Sequence, residues 1–266
     1  MWKWEAEGQP KAVVVIVHNA YEHHRRYAWL IQELRIGGFH VVTSDLPGHG
    51  EEKGNKLHDE SFESYVRHVK SMMEIGLQDG LPMFVIGHGL GATLIMHILQ
   101  TQKLECAGCI FMSPWLSLKH QPSKFSGVLT KLSSSVKLKH DVTIEMLTKN
   151  YDLHVEYQND RFYSSTVVTS WYRELLSMMK SVMAHEESIQ DVPMLIQTGE
   201  NDKITDISFA KKWLQNQQLS EFQYKEWKRL YHDLHQEPER VEVYLYIQAF
   251  MDNVLRSLGY VIDSNH

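Results

Sequence analysis

A chain of 266 residues, 43% hydrophobic and 23% charged, is long enough to bury a full core and ordinary for a globular protein. A formal net charge of -6 gives no electrostatic footprint for nucleic acid, and no apolar run reaches the roughly 18 residues that cross a membrane. The first residues, Met1-Trp2-Lys3-Trp4-Glu5, lack the apolar centre of a signal peptide, so a cytoplasmic location is expected, with transient contact at a membrane surface as the limit.

In chain order, residues 2–7 alternate and predict an edge strand. Apolar runs of strand length follow at 13–18, 40–44, 83–87, 108–113, 194–198 and 222–227. Several are nearly continuous Val, Ile, Phe and Met, as expected of parallel strands covered on both faces. Helical periodicity falls between them, at 27–36, 62–75, 90–102, 207–216 and 241–258. In the last, Val243, Tyr246, Ile247, Phe250 and Val254 keep the i, i+3, i+4 rhythm of one buried face. This alternation predicts a mostly parallel, doubly wound α/β sheet with right-handed crossovers. The rhythm breaks between about 115 and 191, a stretch too long for a plain connection. It has helical patterns at 142–149 and 170–183, a polar Ser/Lys-rich part at 117–139 and no clear strand. A helical insertion at 115–191 is predicted, capping a core formed by 1–114 and 192–266. Ligand sites in such sheets lie beyond the strand C-termini, so the insertion covers the site.

The segment Gly87-His88-Gly89-Leu90-Gly91 joins an apolar strand to an apolar helix. That is the frame of a nucleophile elbow, G-x-S-x-G, with glycine at its centre in place of serine. The same residues, Gly87-x-Gly89-x-x-Ala92, satisfy the dinucleotide fingerprint and raise a nucleotide-binding oxidoreductase as the rival. That fingerprint requires an acid near the end of the next strand, where this chain has Met112-Ser113-Pro114; it also belongs in the first βαβ unit, and two units precede it here. A serine-hydrolase arrangement requires an acid and then a histidine on loops after later strands. Asp202 follows the strand at 194–198, and His232 follows the strand ending near Trp227; His235 is a weaker candidate because it lies nearer the last helix.

Metal chemistry is not expected. His23 and His24 beside Glu22 are adjacent residues whose side chains point apart, a poor chelate. Cys106 and Cys109 form one Cys-x-x-Cys with no second pair, and read as two unreactive thiols.

Further motifs are the run from His18 through Asn19, Ala20, Tyr21, Glu22 and His23 to Tyr27, then Asp45-Leu46-Pro47-Gly48-His49-Gly50. To these add the run from Gly199 to Asp202, Tyr231-His232, the run from Glu237 to Arg240, and Trp171-Tyr172-Arg173-Glu174-Leu175-Leu176. With the elbow, these residues resemble the monoacylglycerol lipase and lysophospholipase branch of the α/β-hydrolases, near its bacterial phospholipase-like members, over essentially the whole chain. The resemblance implies an α/β-hydrolase fold and hydrolysis of a small-molecule acyl ester or lysolipid, with no cofactor. It also implies a nucleophile at position 89, a base at His232 and an orienting acid at Asp202. The oxyanion donors it implies are the backbone N–H groups of Ala20 and Leu90.

Glycine at 89 removes the nucleophile, and ordinary serine-esterase turnover is not expected. Ser113 and Ser44 lie on the same sheet edge but off the elbow. The glycine at 89 is either a deliberate replacement of the serine or a natural loss; Asn19, where the resembling proteins usually carry glycine, is a second departure in the site and favours the natural loss. A non-catalytic lipid-binding or regulatory protein is the alternative function. Asp45 and the turn after it read as structural, and Glu22-His23 as support for the oxyanion loop. Trp115 and Trp171, with Tyr151, Tyr157, Phe162 and Tyr172, are candidates to line an acyl pocket or to fill the cap's own core.

Overall fold

A computed structural model describes residues 1–51, 60–119 and 136–260. Its centre is a seven-stranded sheet formed by β1 (Trp2–Trp4), β2 (Ala12–Val17), β3 (Phe39–Thr43), β4 (Met83–His88), β5 (Gly108–Met112), β8 (Met194–Gly199) and β9 (Phe222–Trp227). The spatial order is β1-β3-β2-β4-β5-β8-β9, parallel throughout except for the antiparallel edge strand β1. The doubly wound sheet expected from the alternation is the one formed.

Why these runs become central strands is visible in β2. Its Ala-Val-Val-Val-Ile-Val is buried at all six positions. Because successive side chains face opposite ways, Val13, Val15 and Val17 join one core, while Ala12, Val14 and Ile16 join the other. The first core is closed by α2 (Phe62–Leu77), α3 (Leu90–Thr101), α6 (Thr169–Ala184) and α7 (Ile207–Gln215). The second is closed by α1 (Ala28–Ile36) and α8 (Arg240–Ser257), where Val243, Ile247, Phe250 and Val254 are all buried. Each fully buried Val or Ile contributes about 1.5–3 kcal/mol. A strand covered on both faces therefore has no place for polar residues. At the open edge, β9 reads Phe-Gln-Tyr-Lys-Glu-Trp and is not buried.

From β2 the chain winds outward to β3, then returns to place β4 on the other side of β2. The C-terminal ends of β2 and β4 thus flank the topological switch point, where ligands bind in sheets of this kind. Between β5 and β8 the described residues form β6 (Lys137–Lys139), α4 (Ile144–Leu147), α5 (Tyr151–Gln158), β7 (Thr166–Val168) and α6. The paired strands β6 and β7 correct the expectation of a strand-free segment. Three residues are too short to show alternation. The helical pattern at 142–149 shrinks to the four residues of α4, and most of the polar stretch at 117–139 lies outside the described residues. This segment reaches the sheet's C-terminal edge through Asp233 N–H to Leu147 O (2.8 Å) and Ser164 N–H to Tyr21 O (2.8 Å). Among the described residues, no helix is long and apolar enough to cross a membrane.

Candidate active site

The elbow frame has a steric cause at each outer glycine. A Cβ on Gly87 would overlap the backbone of Ala92, and one on Gly91 would overlap the carbonyl oxygen of Val17. The start of α3 is therefore pressed against the ends of β2 and β4, with hydrogen as the tolerated side chain. Gly89 forms the turn itself, at φ 51° and ψ -113°. Its N–H donates to Met112 O (3.0 Å) and its carbonyl accepts from Trp115 N–H (3.2 Å), fixing the turn against β5 and the residues after it.

Asp202 and His232 arrive from the loops after β8 and β9 and are completely buried. Asp202 Oδ1 accepts from the N–H groups of Ile204 (2.7 Å) and Thr205 (2.9 Å); Oδ2 accepts from the Thr205 hydroxyl (2.9 Å) and from His232 Nδ1 (2.8 Å). Burial pushes the Asp202 carboxyl upward, but the His232 ring and these hydrogen bonds prevail and hold it below the usual carboxylate range. On the other side of the ring, Trp115 Nε1–H donates to His232 Nε2 (3.0 Å). Indole is a donor only, so Nε2 is an acceptor and Nδ1 carries the proton toward Asp202.

The loop after β2 brings Asn19 and Ala20 to the same place. Asn19 Oδ1 accepts from the backbone N–H groups of Ala20 (2.8 Å) and Leu90 (2.9 Å), and Asn19 Nδ2 lies 3.2 Å from His232 Nε2. The partners fix the amide's orientation, because a flipped amide would point its NH₂ at two N–H donors. Glu22 Oε1 anchors this loop by accepting from Asn19 N–H (2.9 Å) and from the Tyr27 hydroxyl (2.5 Å). Burial acts to raise the Glu22 carboxyl, yet the hydrogen bond and charge of His88, with Arg26, hold it well below the ordinary range.

Asp233 sits in the same buried cluster. Neither of its carboxylate oxygens has a hydrogen-bond partner among the described residues, and the nearer contact is His88 Nε2 at 3.5 Å. Burial raises its pKa to about 7, helped by Glu22 and Glu237 and opposed by His88 and Arg26. The folded state therefore keeps a proton that the unfolded chain releases near pH 3.8. Stability from this group is full below that pH and is lost as pH rises through about 7. Asp233→Asn is expected to gain about 2–4 kcal/mol in unfolding free energy relative to the parent between pH 4 and pH 8, measured by urea unfolding. A pH-independent difference would contradict this placement of the proton.

Thus Gly89, Leu90, Ala20, Asp202 and His232 converge, with Trp115. Trp171 Nε1–H instead donates to the Tyr65 hydroxyl (2.8 Å), within the core shared with α2. Between Trp115 and the following segment lies a cavity of about 20 Å³, lined by Tyr21, Trp115, Leu118, His140, Val142, Met146 and Tyr172 among others. Of the remaining aromatics, Tyr157 is buried against the Arg26 guanidinium and Tyr151 is 79% exposed. Ser113 Oγ donates to His232 O (2.8 Å) and Ser44 Oγ pairs with His68 Nε2 (2.9 Å), so neither hydroxyl is aimed into the site. His235 stacks on Tyr27 (4.4 Å), away from Asp202. His23 pairs with Asp160 (2.9 Å) and His24 with Asp45 (2.8 Å), which separates them as adjacency implied. Cys106 and Cys109 are free, with sulfurs 3.8 Å apart. Sequence reasoning noticed Asn19 only as an odd residue and Trp115 only as a lining candidate; their contacts with His232 had no local signal.

A family model, Hydrolase_4 (serine aminopeptidase, S33), matches residues 8–239. The chain is 35% identical over 260 residues to phospholipase YtpA of Bacillus subtilis (strain 168), covering 96% of this chain and 100% of that protein. It is 29% identical over 250 residues to a monoglyceride lipase homolog of monkeypox virus, covering 90% and 88% respectively. Among solved structures, the monoacylglycerol lipase of Paleococcus ferrophilus superposes with a TM-score of 0.83 at 25% identity, over 95% of this chain and 98% of that one.

Proposed function

The chain belongs to the Hydrolase_4 family, as a lipase- and esterase-type α/β-hydrolase of the monoglyceride lipase and phospholipase branch, and we propose that it carries an ester-hydrolysis site whose nucleophile position is Gly89. In this reading Asp202 orients the imidazole, His232 Nε2 is the base, and the N–H groups of Ala20 and Leu90 are the oxyanion donors. Residues 115–191 act as the cap. The ligand is an acyl ester or lysolipid, a class favoured by the names of the relatives.

The observation that carries the reading is one turn with three partners. Position 89 heads α3 at the geometry of an elbow; the Asp202–His232 pair lies on one side and two aligned backbone donors on the other. A serine hydroxyl there would attack an ester carbonyl while His232 took its proton, and the protonated His232 would then return that proton to the departing alcohol. Glycine supplies no oxygen, so no acyl-enzyme forms. Loss of a triad serine costs about 10⁶ in kcat.

The second reading is a lipid-binding protein, and its lack of turnover is favoured by the Asn19 amide lying on the oxyanion donors of the first. Both readings give the same first result. The purified chain is expected to hydrolyse p-nitrophenyl butyrate with no acyl-enzyme burst, at least about 10⁵-fold below the 1–10³ s⁻¹ usual for enzymes. Turnover within that usual range, lost on His232→Ala, would show that another group serves as nucleophile.

A further inference from the structure

Asn19 explains more than a missing glycine. Its side chain lies where three otherwise separate requirements meet. A Cβ on Gly89 would overlap Asn19 Oδ1 and Cγ, and would lie 2.7 Å from Nδ2. The same Oδ1 holds the N–H groups of Ala20 and Leu90, and Nδ2 reaches His232 Nε2. Asn19 is buried, its own N–H is held by Glu22 and Tyr27, and His18 Nδ1 lies 2.6 Å from its carbonyl oxygen.

We propose that Asn19 is an internal ligand of this site, its amide oxygen taking the place of a substrate's carbonyl oxygen and its amide body filling the space of a side chain at position 89. This rests on the reading of position 89, Asp202 and His232 as an ester-hydrolysis site. Asn19 and Gly89 are then a matched pair. Glycine leaves the room that the amide occupies, and the amide satisfies donors that would otherwise be buried without an acceptor. Leaving two such N–H groups unpaired carries a desolvation penalty for each, so the amide stabilises the closed site. The accessible chemistry follows. With Asn19 in place, the N–H groups of Ala20 and Leu90 are already engaged and cannot polarise an ester carbonyl, whatever residue stands at 89.

The occupied groups also state what would bind if the amide were removed. Two backbone N–H groups, one at the start of α3 and one in the adjoining loop, form an acceptor-seeking hollow. A carboxylate at the head of an acyl chain matches it, because hydrogen bonds to an ionised acceptor are about twice as strong as neutral ones and a helix N-terminus favours negative charge.

Two measurements test the inference. In the first, Gly89→Ser and the double variant Asn19→Gly/Gly89→Ser are compared for p-nitrophenyl butyrate hydrolysis, with circular dichroism to establish folding. Gly89→Ser alone is expected to stay at the parent's level and the double variant to exceed it by at least 10³-fold. Equal activity in the two variants, both at least about 10³-fold above the parent, would overturn the role of Asn19 while leaving the ester-hydrolysis reading intact. Two folded but inert variants would overturn that reading and the inference with it. The second measurement needs no nucleophile and serves if serine strains the turn at φ 51°. Asn19→Gly, with Gly89 kept, is expected to bind decanoate about 10–100-fold more tightly than the parent by isothermal titration calorimetry. Affinities within twofold of each other would overturn the inference.

Discussion

His232→Ala, introduced into the Asn19→Gly/Gly89→Ser protein, is expected to lower kcat for p-nitrophenyl butyrate by about 10⁵–10⁶, and Asp202→Asn in the same background by about 10⁴. The two magnitudes differ for a structural reason. Removing the imidazole deletes the ring that, among the described residues, reaches both Asp202 and the space beside position 89. Changing Asp202 to an amide keeps the shape but puts a possible donor opposite Nδ1. That position accepts the Nδ1 proton, and a donor there favours the tautomer with its proton on Nε2, the nitrogen that must accept one. Asp202 also accepts from Ile204, Thr205 and the Thr205 hydroxyl, so folding of the Asn variant is checked by near-UV circular dichroism. Activity within tenfold of the double variant after His232→Ala would place the base elsewhere, with His235 the alternative to test.

The second large effect concerns stability. Gly91→Ala is expected to cost about 3 kcal/mol or more in urea unfolding, or to prevent accumulation of folded protein. Its added Cβ would overlap the carbonyl oxygens of Val17 and His18. Both are backbone atoms at the end of the central strand β2, so no side chain can rotate away, and α3 must shift bodily. Overpacking in a well-filled core costs about 1–3 kcal/mol when side chains can adjust. Here the strain falls on the contact that positions Leu90 N–H. A loss under about 1 kcal/mol would show that the helix start is not pressed against β2 as described.

The parts of this structure legible in the sequence are those where one physical demand acts on consecutive residues. Parallel strands buried on both faces demand unbroken apolar runs, so Val13 to Val17, Phe84 to Ile86 and Leu195 to Ile196 announce themselves. The elbow is local in part: Gly87 is required by overlap with Ala92 five residues on and Gly89 forms the turn, whereas Gly91 is required by the distant carbonyl oxygens of Val17 and His18. Asp202 and His232, the proposed acid and base, follow from chain order, because each lies just beyond a strand. Short elements of the intervening segment are not legible, since Lys137–Lys139 and Thr166–Val168 become strands only by pairing with each other. The amide of Asn19 is hidden for the same reason. Of its three partners, Ala20 is adjacent but Leu90 and His232 stand 71 and 213 residues away. Asp233 reads as an ordinary loop acid beside a histidine, and its unpartnered burial appears only when Glu22, His88 and Arg26 from another loop and strand close around it.

Fluorophosphonate labelling with intact-mass and peptide mass spectrometry tests the central claim most directly: that this is an ester-hydrolysis site lacking one oxygen and closed by its own amide. The parent chain is expected to remain unmodified. The Asn19→Gly/Gly89→Ser protein is expected to gain one adduct per chain, mapped to position 89 and abolished by His232→Ala. An adduct on the parent chain, or a folded double variant that takes up none, would contradict it.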